Sequence, residues 1–149
     1  MAATDGRWRI SLSTTGLSLS GRMALSADEA KLALTAEPES VVIFFLESEE
    51  TFTVTESGYV SGWSLDGERL YYQDTRGIAS GYGLRVYDLS RDVNTEVLSS
   101  SLRTTEGMTV TLPLGIEVSP LENAAVFHKN SGIWLVTWTP AQVAVSSCD

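Results

Sequence analysis

One cysteine and one histidine, Cys148 and His128, occur in the whole 149-residue chain. A single thiol excludes an intramolecular disulfide and any Cys-based zinc site, and a single imidazole excludes the multi-His metal sites. No metal and no cofactor is expected on that basis. Basic charge is scarce as well: 10 Lys and Arg stand against 19 Asp and Glu, a net charge of -9. An acidic surface repels phosphates, so nucleic acid is not an expected partner, and attraction to anionic membranes is weakened. Long hydrophobic runs are missing too. The longest, Val41 to Leu46, has strand length, far short of the roughly 18 residues of a bilayer-crossing helix. Residues 1–20 lack a charged segment followed by an apolar core, so no secretory leader is expected. With one Cys, cytoplasmic residence is the expectation.

What is present is enough apolar material for a core: 43% of residues, with a mean hydropathy of +0.03. That argues against disorder and for one globular domain over residues 1–149. Short alternating or β-branched runs follow one another, each bounded by turn chemistry. They include Trp8–Leu12, Leu17–Ser20 (ended by Gly21), Val41–Leu46, Thr51–Thr55, Tyr59–Trp63 and Glu68–Tyr72. Further on come Leu84–Leu89, Thr95–Leu98, Met108–Leu112, Gly115–Val118, Ala124–His128, Ile133–Trp138 and Gln142–Val145. Turn signals every ~8–12 residues mark an all-β architecture. Gln73–Gly83 and Ser99–Glu106 read as loops. One segment has a local helical signature: Ser26 stands three residues before Glu29, the spacing of a capping box.

A repeat overrides that local reading. Ser26-Ala27-Asp28-Glu29-Ala30-Lys31-Leu32-Ala33-Leu34 matches Ser64-Leu65-Asp66-Gly67-Glu68-Arg69-Leu70-Tyr71-Tyr72. Ser119-Pro120-Leu121-Glu122-Asn123-Ala124-Ala125-Val126-Phe127 keeps the Ser and the apolar end but lacks the Asp and the basic residue. Each copy precedes a strongly apolar strand and then a shorter one, so the unit is four strands. Asp66-Gly67 is the strongest hairpin signal of the chain. Units of about 40–45 residues have the period of propeller blades. A single four-stranded sheet leaves one apolar face open and must stack on its like.

Ser64–Tyr72 followed by Leu84-Arg85-Val86-Tyr87-Asp88-Leu89 resembles the turn-and-strand of TolB-like and WD40-like β-propeller repeats. Ser119-Pro120 followed by Ile133-Trp134-Leu135-Val136 is similar to it as well. Position 65 is Leu where the family prefers Pro, and position 121 is Leu where it prefers Asp. The resemblance implies antiparallel four-stranded blades at about residues 22–57, 58–100 and 114–146, with 7–21 as a partial blade. A β-sandwich and a closed barrel are the alternative folds. Three blades and a part fall short of a closed ring of four or more. Blades from a second copy, or a larger propeller, are expected to complete it.

Chemistry-bearing patterns are sparse. No Gly-x-Ser-x-Gly elbow occurs; Ser57-Gly58 and Ser61-Gly62 lack its flanks. His128 has no Ser placed near it by sequence, so no catalytic residue is assigned. The acidic residues read as solvated turn groups, with Asp66 bonding backbone amides of its turn. Trp8, Trp134 and Trp138 read as core. Loops on a rigid scaffold carry binding, and Tyr and Arg are frequent anchors of interfaces. Asp74, Arg76 and Tyr82, in the Gly-rich loop Gln73–Gly83, are therefore the candidate partner-binding residues. The expected function is a non-enzymatic module that binds a protein partner or assembles into an oligomer. A lectin-like carbohydrate binder and a fragment of a propeller-fold hydrolase are the alternatives.

Overall fold

The three Ser turns close by one set of bonds, and these set where every following strand begins. The Ser26 amide donates to the Lys31 carbonyl and the Ser64 amide to that of Arg69, both at 2.9 Å. Each Ser hydroxyl accepts the amide of that same residue at 3.0 Å and donates to the Asp two places on at 2.5 Å. The Asp carboxylate in turn accepts a backbone amide, from Ala30 at 3.1 Å and from Glu68 at 3.0 Å. The third turn keeps the backbone bond, Ser119 to Ala124 at 2.8 Å. The fourth residue of each turn is left-handed: Glu29 at φ 57°, Gly67 at φ 70° and Glu122 at φ 63°. A left-handed residue there ends any helical course, so Ser26–Thr35 is a turn and a strand.

A computed structural model describes residues 18–76, 81–139 and 142–148, with the backbone alone for Gln142 and Val143. The expected strand Trp8–Leu12, most of the partial blade 7–21 and the tip of the Gly-rich loop lie outside the described residues. Among those described there is no helix. The first sheet runs β1 (Leu19–Leu25), β2 (Lys31–Ala36), β3 (Ser40–Phe45) and β4 (Thr51–Thr55). The second runs β5 (Gly58–Trp63), β6 (Arg69–Asp74), β7 (Leu84–Asp88) and β8 (Val93–Leu98). A hairpin, β9 (Ser101–Arg103) with β10 (Thr109–Thr111), leads to the third sheet. That sheet is β11 (Glu117–Val118), β12 (Ala124–Lys129), β13 (Gly132–Thr139) and β14 (Gln142–Cys148). Each four-stranded sheet is an antiparallel meander in sequence order.

The sheets stack face to face through two apolar layers. Ala33, Val41 and Ile43 of the first sheet meet Val60, Trp63, Leu70, Tyr72 and Tyr87 of the second. Tyr71 and Leu84, on the opposite face of the second sheet, meet Ile116, Val118, Phe127 and Val136 of the third. Period-two alternation forces this: β6 sends Leu70 and Tyr72 one way and Tyr71 the other. The all-β fold of stacked four-stranded blades is the expected one.

Three local readings change. Gly21 does not end a strand; it lies inside β1, which bulges between Leu19 and Met23. A side chain there would meet the Tyr59 ring at 2.6 Å, so the glycine admits close sheet contact. Ser99–Glu106 is not all loop, since Ser101–Arg103 pairs with Thr109–Thr111. Gln73 belongs to β6 and not to the loop after it. It is fully buried. Its amide donates to the carbonyls of Tyr82 and Pro113 and accepts the amides of Gly115 and Ile116. Gln73 thus knits the loop at Tyr82 and the segment Pro113–Ile116 to the second sheet.

Candidate interaction site

The first strands of the three sheets, β1, β5 and β11, come together along one axis. Three polar links hold them. The Trp63 indole donates to the Ala24 carbonyl at 2.9 Å, and the Leu65 amide to the Pro120 carbonyl at 3.1 Å. The Arg22 guanidinium pairs with the Glu117 carboxylate, joining the first sheet to the third. The Lys31 ammonium lies 5.9 Å from the Trp63 ring centre.

Where these strands meet, an open cleft of about 290 Å³ forms, lined by Arg22, Met23, Leu25, Ser61, Leu65 and Glu117 among others. Its apolar members are poorly covered: Met23 is 49% exposed, Leu25 52% and Leu65 62%. Ser61 is fully buried. It sits at a bulge, where the pairing of β5 with β6 shifts between Val60 and Gly62. The bulge leaves the Ser61 hydroxyl with no hydrogen-bond partner among the described residues. Bulges re-aim a side chain and recur beside functional sites. The sequence signal for it was Gly62 inside an otherwise regular strand.

The candidate loop residues lie elsewhere, at the far end of β6. Asp74 and Arg76 are brought together in a two-pronged ion pair, with Arg76 Nε 2.9 Å from Oδ1 and a terminal nitrogen 2.6 Å from Oδ2. The Arg76 guanidinium holds the Asp74 carboxyl below the usual range, and the Asp74 carboxylate raises Arg76 in return. Both line a hollow of about 230 Å³ with Arg85, Glu96 and Ser100. Tyr82 does not line it. Tyr82 is half-buried, and its backbone is tied to Leu112 and Gln73.

The remaining groups bear on the chemistry available. His128 is exposed on the outward face of the third sheet and does not line the cleft. Among the described residues no Trp or Tyr is exposed. Phe52, the one exposed aromatic ring there, stacks on Tyr87 at 5.6 Å. Burial and then the Asp92 carboxylate push the Tyr87 hydroxyl up to about 12.

No protein-family description and no curated protein sequence matches the chain. Solved structures do. TolB from Acinetobacter baumannii is 12% identical with a TM-score of 0.48, over 79% of this chain and 40% of that one. A prolyl endopeptidase, from a study of two such enzymes and their inter-domain dynamics, is 14% identical with a TM-score of 0.54. That match covers 87% of this chain and 22% of the other. The match therefore spans less than half the length of either. Both are β-propeller proteins. At such identity the prolyl endopeptidase match speaks to the fold alone, and together with the four-stranded antiparallel sheets it gives this chain an all-β, propeller-like fold.

Proposed function

We propose that the chain is a non-enzymatic, propeller-like interaction module that engages a protein partner at the cleft between β1, β5 and β11. The observation that carries this reading is the cleft's composition. Three exposed apolar side chains, Met23, Leu25 and Leu65, surround an Arg22–Glu117 ion pair and a buried, unpartnered Ser61 hydroxyl. Exposed apolar groups rimmed by polar ones mark protein-binding surfaces. An inserted side chain covers Leu65 and Met23, while peptide polar groups meet the charged pair.

Two observations favour this over the alternatives. The one imidazole of the chain lies off the cleft, so Ser61 has no His beside it to act as a base. A sugar platform needs an exposed Trp or Tyr ring, and among the described residues the exposed aromatic is Phe52, already stacked.

The test is panning of a linear dodecapeptide phage library against the whole chain. Enriched peptides are expected to lose at least about tenfold in affinity, roughly 1.4 kcal/mol, with Leu65→Asp or Arg22→Glu. They are expected to be unaffected by Arg76→Glu at the loop hollow. Peptides that bind all three variants equally, or that follow Arg76 alone, overturn the cleft assignment. Binding on a glycan array sensitive to Leu65→Asp would favour the carbohydrate reading instead.

A further inference from the structure

Two positions of the repeat face the sheet that follows, seven and nine residues after the turn Ser. In the first sheet they are Ala33 and Thr35, in the second Tyr71 and Gln73, in the third Val126 and His128. Ala33 is 0% exposed and Tyr71 4%, each covered by the next sheet, whereas Val126 is 41% exposed. Their cross-strand partners are Ile43, Val86 and Leu135.

The ninth position does something more specific. Thr35 Oγ1 accepts the amide of Val60, in the innermost strand of the second sheet, at 3.1 Å. Gln73 Oε1 accepts the amides of Gly115 and Ile116, leading into the innermost strand of the third, at 2.7 and 3.1 Å. At this position each buried polar side chain therefore fastens the inner strand of the next blade. Each also stands opposite a buried apolar residue, Val41 and Leu84. In the third sheet the polar side chain is His128, and its partner Ile133 is 54% exposed.

We propose that the outward face of the third sheet is a socket for a further four-stranded antiparallel sheet of the same repeat. A backbone amide of that sheet's innermost strand donates to the His128 imidazole, and its apolar side chains cover Val126, Leu135 and Ile133. A neutral imidazole nitrogen accepts such a bond as the Thr hydroxyl and Gln carbonyl do. The occupant is not a second copy stacked head to tail. That arrangement needs the back face of the first sheet, where Leu34, Ala36 and Val42 are already buried. The sheet is supplied by polypeptide of different sequence. This inference is independent of the cleft.

The probe is the full chain extended at its C-terminus by a second copy of residues 56–100, whose Leu70 and Tyr72 face already packs on a preceding sheet in this fold. Hydrogen exchange over residues 124–139 is expected to slow at least about tenfold on extension. Val126→Asp is expected to abolish the gain and His128→Ala to reduce it. His128→Gln, which installs the second sheet's own side chain, is expected to keep it. Equal exchange with and without the extension overturns the proposal. So does an extension that stays unprotected on a folded host. An oligomer of the unextended chain that Val126→Asp dissociates would make the occupant a second copy and overturn it as well.

Discussion

Glu122, the left-handed residue of the third turn, grips Arg69 of the second turn with both carboxylate oxygens, at 2.5 and 2.6 Å. It also accepts the Tyr71 hydroxyl at 3.0 Å. The carboxylate raises the Arg69 guanidinium, while burial first and then Glu122 raise the Tyr71 hydroxyl. The third turn lacks the Asp of its siblings and uses its acidic side chain between blades instead.

That contact predicts a stability effect out of proportion to a surface ion pair. Glu122→Ala is expected to cost about 1–3 kcal/mol in urea unfolding, since it removes a forked, partly shielded pair and leaves Tyr71 without its acceptor. Arg69→Lys keeps the charge but not the fork, and is expected to cost more than half as much as Glu122→Ala.

Acid sensitivity should follow the two complete Ser-Asp turns. The Ser hydroxyls, and then the backbone amides, hold Asp28 and Asp66 below the usual carboxylate range. A depressed folded value means the unfolded chain binds the proton first as pH falls. The contribution is therefore present above about pH 4 and is lost through the folded values below it. The double variant Asp28→Asn, Asp66→Asn keeps an acceptor oxygen in each turn. Its unfolding midpoint is expected to vary less between pH 5 and pH 3 than the wild type's, by roughly the two groups' share.

Gly58 marks a second tight approach of the first two sheets. A Cβ built there would meet Thr55 and Val41 methyls at 2.8 Å and the Tyr72 ring at 3.0 Å. Gly58→Ala is expected to destabilise by about 1–3 kcal/mol through overpacking, read as a lower denaturant midpoint at unchanged slope.

Gln73→Leu should loosen the loop at Tyr82 and the segment Pro113–Ile116 together. It strips acceptors from the Gly115 and Ile116 amides and a donor from the Tyr82 and Pro113 carbonyls. Leaving buried polar groups unpaired is expected to cost at least about 2 kcal/mol. Hydrogen exchange at Gly115 and Ile116 should accelerate before global unfolding.

Much of the fold was legible because it is local. Ser64-x-Asp66-Gly67 specifies its turn through bonds spanning five residues, and the alternation of Arg69–Tyr72 specifies two buried faces. The bulge at Ser61 was signalled only by Gly62, a residue with several uses in a strand. The β9 strand, Ser101–Arg103, was hidden by its shortness and polarity: only Leu102 of its three residues is apolar, and it reaches the core beside its partner Val110 once the strand pairs with Thr109–Thr111. Of the loop residues, Asp74 and Arg76, two positions apart, form an ion pair, whereas the bonds of the Tyr82 backbone to Leu112 and Gln73 are long-range or depend on a buried side chain and have no sequence signal.

The sequence by itself determined the turn chemistry, the four-strand unit and its repetition, since these depend on contacts a few residues long and on period-two alternation. Tertiary structure alone decided which sheet faces meet. It also brought Arg22 beside Glu117 across 95 positions and left Val126 and His128 uncovered where Ala33, Thr35, Tyr71 and Gln73 are buried. Those outcomes depend on how one blade lies on the next. No window of a single blade's sequence carries that orientation, because each blade exposes two similar apolar faces until a neighbour covers one.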